Sequence, residues 1–126
     1  TTPAAANHAL NIVNGDVFRW RRLWPRLADV LGVESVPFTG EPAPLEQQMT
    51  DAADVWPEIV RRHGLRDDLS VDRLASWWHT DADLGRTVET FTDMGRSRRL
   101  GFAGVRDTET SFVDLFARLR AERIVP

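Results

Sequence analysis

The sequence predicts a mainly α-helical fold with one to three short strands. Three observations carry that reading. Apolar residues recur at helical spacing in stretch after stretch. Only Leu10–Val13 reads convincingly as a strand, and one or two short strands do not make a stable sheet alone. The length of 126 residues fits one domain at most, and 42% hydrophobic residues allow a modest core.

The elements run in chain order. Leu10–Val13 is short and apolar, suited to a buried strand. Asn14 and Gly15 favour a turn, because both tolerate positive φ, and Asp16 is a natural N-cap for the helical segment after it. A strand entering a helix through such a turn can bind a phosphate, but an Asp at the cap places a negative charge beside the anion. From Val17 to Leu31, Phe18, Trp20, Leu23, Trp24, Leu27, Val30 and Leu31 share helical spacing. Pro25 should kink that helix or delay its regular part, and Gly32 should stop it. Glu34–Phe38 could form a short strand, and the Pro- and Gly-bearing stretch after it is a loop. Helix is expected for Leu45–Met49 and for Asp54–Arg62, with Pro57 tolerated in the first turn and Gly64 as the stop. Ser70 should cap a helix over Val71–Trp78, and His79–Thr87 reads as a connector. Val88–Thr92 is ambiguous between strand and helix, and Met94–Leu100 should form a turn or two of helix. Thr108 should cap a final helix with Phe112, Leu115, Phe116 and Leu119 on its apolar face.

Composition excludes several classes. Sixteen basic against nineteen acidic residues give a net charge of −3, so there is no general pull toward nucleic acid. No apolar run approaches the ~20 residues of a membrane span, and the first ten residues lack the pattern of a signal peptide. The expected compartment is the cytoplasm. There is no Cys, and so neither a disulfide nor thiolate chemistry. Tyr and Lys are absent, which removes Tyr–Lys acid/base pairs, Schiff-base lysines and P-loop lysines from this chain. Arg in place of Lys, with abundant Ala, points by composition to a GC-rich bacterial genome.

Individual polar motifs are weak. His8, His63 and His79 are scattered, without the clustering a metal site needs. Asp81 and Asp83 have the spacing of metal–nucleotide Asp pairs, but that spacing is common in loops, and they read as connector residues and helix caps. Arg96, Arg98, Arg99 and Arg106 form a basic patch, read as a solvated face or as salt bridges to Asp93, Asp107 and Glu109. Ser97 sits in no Gly-x-Ser-x-Gly elbow.

A set of longer stretches carries more. "LNIVNGDVFRWRRLWPRLADVLGVE" is followed by "VWPEIVRRHGL", "WWHTDADLG", "DMGRSRRLGFAGVRDT" and the terminal "RAERIVP". In this order and spacing, the chain resembles the C-terminal part of the progesterone 5β-reductase and iridoid synthase-like family. That family lies among the extended short-chain dehydrogenases/reductases of the NAD-dependent epimerase/dehydratase superfamily. The N-terminal part of such enzymes carries a Rossmann sheet, a Gly-rich loop for NADPH, and the catalytic Tyr and Lys. NADPH delivers hydride to the β-carbon of an enone while the Tyr hydroxyl stabilises the enolate oxygen, an oxyanion-hole logic.

The resemblance therefore implies that residues 1–126 are a single C-terminal substrate-binding cap region, one portion of an extended Rossmann-type α/β reductase without its nucleotide-binding sheet. It implies no catalytic, cofactor-binding or metal-binding residue in this chain and no activity of the chain alone. For the full-length parent it implies NADPH and a small apolar carbonyl or enone substrate. Trp77 and Trp78 divide between core packing and a share in the substrate pocket, since aromatics suit a flat enone. Phe91 and Met94 lie in the stretch similar to the family's pocket-lining segment, where bulky apolar side chains set substrate size; Thr90 could hold the position given to Phe91, and plain core is the other reading for each. An apolar face left open by the absent body would drive homo-oligomerisation. A reading from another class is a free-standing helical module that binds a small ligand or a protein without catalysis.

Overall fold

The computed structural model describes residues 2–126, which form two compact units. One comprises the chain up to Pro37 together with Thr90–Asp114; the other comprises Phe38–Glu89 together with Leu115–Pro126. The elements are α1 (Trp20–Leu31), α2 (Leu45–Gln48), α3 (Ala52–His63), α4 (Val71–Leu74), α5 (Trp77–Leu84), α6 (Gly95–Arg99) and α7 (Thr108–Ala121), after a short 3-10 turn at Pro3–Ala5. The mainly helical class holds.

In the first unit, α1 turns Leu23, Leu27 and Ala28 inward, and Met94 completes the buried apolar set. The i, i+4 spacing of Leu23 and Leu27 puts both on one face. The helix begins at Trp20, three residues later than Val17, because Asp16 does not cap it; Arg19 holds the N-cap position without a side-chain bond. Pro25 lies inside the helix, and Gly32 ends it at φ 71°. Val33 then donates to the Ala28 carbonyl at 3.0 Å, closing the turn that a left-handed residue permits.

Leu10–Val13 is extended but joins no ladder. The one strand-like pairing among the described residues is a parallel bridge between Gly15 and Arg106, where the Arg106 N–H donates to the Asn14 carbonyl at 2.7 Å. Side chains hold the segment instead. The Ser97 hydroxyl, 1% exposed, donates to the Asn11 carbonyl at 2.6 Å, and the Asn11 amide donates to the Asp93 carbonyl at 3.1 Å. A strand needs a partner strand, and no neighbouring segment among the described residues supplies one. Glu34–Phe38 and Val88–Thr92 are likewise irregular.

In the second unit, α2 packs on α5 and α3 on α4. Asp81 on α5 ties the first pair, its carboxylate accepting from the Leu45 N–H at 2.8 Å and the Glu46 N–H at 3.0 Å. It thus caps α2 from a distance of 36 residues in sequence. The indole of Trp56 on α3 donates to the Leu69 carbonyl at 2.9 Å, fixing the approach to α4. Helix α3 starts at Ala52, so Pro57 sits in its interior rather than in its first turn. The expected helix Val71–Trp78 is broken at Ala75, whose φ and ψ of −138° and 142° are extended. Trp77 and Trp78 therefore open α5, and the expected connector His79–Thr87 is helical as far as Leu84.

At the end of α7, Arg123 adopts φ 55°. Ile124 donates to the Leu119 carbonyl at 2.8 Å and Arg123 to that of Arg120 at 2.9 Å, a glycine-type stop built on arginine. A non-glycine residue there costs about 1 kcal/mol. Arg123→Gly removes that cost but frees the unfolded chain, so a net gain of about 0.5 kcal/mol is expected in urea denaturation. A loss would show that the arginine side chain stabilises the turn by more than its backbone strains it.

Candidate functional site

The predicted pocket residues divide between the two units. Trp77 and Trp78 stand side by side at the start of α5, about 100° apart around the helix. Trp77 is half-buried; Trp78 is 64% exposed, its ring meeting that of His79 edge-on at 5.5 Å. In the other unit, Phe91 lies on the irregular segment before α6 and is 63% exposed, whereas Met94 is buried. Asp93 shapes this second place, its carboxylate accepting the Gly95 N–H at 2.7 Å. Large apolar surfaces at Trp78 and Phe91 thus face outward, while Met94 belongs to the packed interior of its unit.

None of these four side chains can transfer a proton, and the strongest local electrostatics lie elsewhere. The carboxyl of Asp68 is held below its ordinary value by a hydrogen bond from Arg66, whose own pKa is raised by that bond. Asp107 is lowered by the Thr110 hydroxyl and the Thr110 N–H, each donating to it. Its contribution to folding is therefore complete above the ordinary Asp value of 3.8 and is lost as the pH falls through the lowered folded value. Among the described residues no group of three His, Asp or Glu side chains converges on a point fit for a metal ion.

The most polar feature is the Asn14–Asp16 turn. Gly15 has φ +91°, a conformation natural for glycine. Asp16 accepts from the Thr108 N–H at 2.8 Å and from the Thr108 hydroxyl at 2.7 Å. Asn14 donates to the Thr108 hydroxyl at 3.1 Å and to Ser111 at 3.4 Å. The turn does cap a helix, but it is α7 rather than α1. The expected cap Thr108 is the first residue of the helix, and Asp107 caps the Thr110 amide. The N-terminus of α7, which could otherwise attract an anion, already accommodates two carboxylates. The turn does not fit a cofactor phosphate.

The four arginines of the basic patch are all exposed, in keeping with the solvated-face reading, and the pairing that does form differs from the other expectation. Arg106 meets Asp114 at 2.6 Å, Arg26 takes Glu109 at 3.1 Å, and Arg96 donates to His8 at 3.0 Å. Asp93 and Asp107 are engaged in capping. Sequence reasoning missed Ser97 and Thr108 as buried polar anchors. The one available signal was their placement beside helix starts, where hydroxyls often find backbone partners.

No protein-family model matches the chain. Curated relatives do. The (S)-8-oxocitronellyl enol synthase of Antirrhinum majus is 39% identical over 127 aligned positions, covering 100% of this chain and 32% of that protein. An enzyme of the same name from Camptotheca acuminata is 39% identical over 126 positions, covering 98% of this chain and 32% of that protein. Another from Catharanthus roseus is 35% identical over 127 positions, with the same two coverages. The chain spans about a third of the length of the curated relatives it matches.

Proposed function

Over its whole length the chain is related to the C-terminal part of the progesterone 5β-reductase and iridoid synthase-like family of reductases, and from that premise we propose that it forms the substrate-binding wall of an NADPH-dependent enone reductase. The end-to-end similarity carries the reading. The absence of Tyr and Lys and the occupied N-terminus of α7 support a division of labour, with cofactor and proton chemistry placed outside these residues. In this reading the exposed rings of Trp78 and Phe91, each within its own unit, are the candidates for apolar contact with substrate, while Trp77 is half-buried and Met94 is buried in its unit. The substrate is a small apolar carbonyl compound. The cytoplasm is the compartment proposed with this reading. Among the described residues no helix is long and apolar enough to cross a membrane.

A chimera tests this. In the Antirrhinum enzyme, the matched third is replaced by this chain, and NADPH consumption is followed with 2-cyclohexenone or progesterone. The chimera should reduce an enone, and Phe91→Ala within it should raise KM by about tenfold, the equivalent of losing most of one buried aromatic contact. The isolated 126-residue chain should consume no NADPH. A chimera that folds and binds NADPH yet reduces no enone would refute the reading, as would turnover by the isolated chain.

The isolated chain also self-associates in this reading. Ile12, Val17 and Phe38 are 55%, 74% and 81% exposed, and Leu10–Val13 presents backbone without a ladder. Sedimentation should show a weight-average mass that rises with concentration. A species that stays monomeric at high concentration and binds no hydrophobic dye would count against it.

A further inference from the structure

We draw no further inference here: the strongest candidate, the half-exposed apolar strip of Phe18, Trp20 and Trp24 at the start of α1 beside the unladdered segment Leu10–Val13, carries nothing because nothing in the structure shows what covers it.

Discussion

Leu23→Ala is expected to lower stability by about 3 kcal/mol, near the lower end of the range for a buried leucine. Leu23 is 3% exposed on α1, one turn from Leu27 at 6%, and the buried apolar set of its unit is small. Truncation removes the transfer free energy of the side chain and leaves a cavity that neighbouring residues fill only in part. A domain is stable by only about 5–15 kcal/mol, so this one change takes a large share. Urea denaturation should show a lower midpoint at an unchanged slope. Val17→Ala is the control: Val17 is 74% exposed, and an effect within about 0.5 kcal/mol is expected. A cost for Leu23→Ala as small as the control's would mean that α1 is not the core of its unit.

Asp16→Ala should cost about 2–3 kcal/mol, the range for hydrogen bonds to a charged group whose partner is left buried. Thr108 is 6% exposed, so both its N–H and its hydroxyl depend on the Asp16 carboxylate. Asn14 still donates to that hydroxyl, but no other bond is made to the N–H, which becomes an orphan at the head of a helix. Asp16→Asn keeps one acceptor and should cost about half as much. A double-mutant cycle with Thr108→Ala should return a coupling of about 1–2 kcal/mol, and amide exchange at Thr108 should accelerate in Asp16→Ala. Additive effects in the cycle would show that the turn and α7 are not energetically linked.

Much of this architecture was legible in the order of residues. The stops at Gly32 and Gly64 come from the left-handed conformation that glycine adopts at low cost, a local property. The helices at Ala52 and at the C-terminal end follow apolar periodicity, which is also local. Other features depended on partners distant in sequence. Leu10–Val13 has the composition of a strand, but a strand exists only through a neighbour, and none lies among the described residues. The division at Ala75 turned a predicted connector into α5, and Asp81 on that helix caps α2 across 36 positions.

The resemblance to iridoid synthase-like reductases, on which the proposed function rests, was legible in the sequence alone, because long motifs in a fixed order record ancestry whatever the local geometry. The exposure of the four pocket candidates was not. Trp77 and Trp78 differ because successive helical residues point about 100° apart, and Phe91 and Met94 differ because one precedes α6 while the other is packed at its cap. Asp16 makes the same distinction at the level of a single carboxylate. The sequence marked it as a helix cap from its type and its neighbours, both of which are local. Only the tertiary structure decided that the helix is α7, because a carboxylate bonds whichever free donors folding brings within about 3 Å, and here those are the N–H and hydroxyl of a residue 92 positions away.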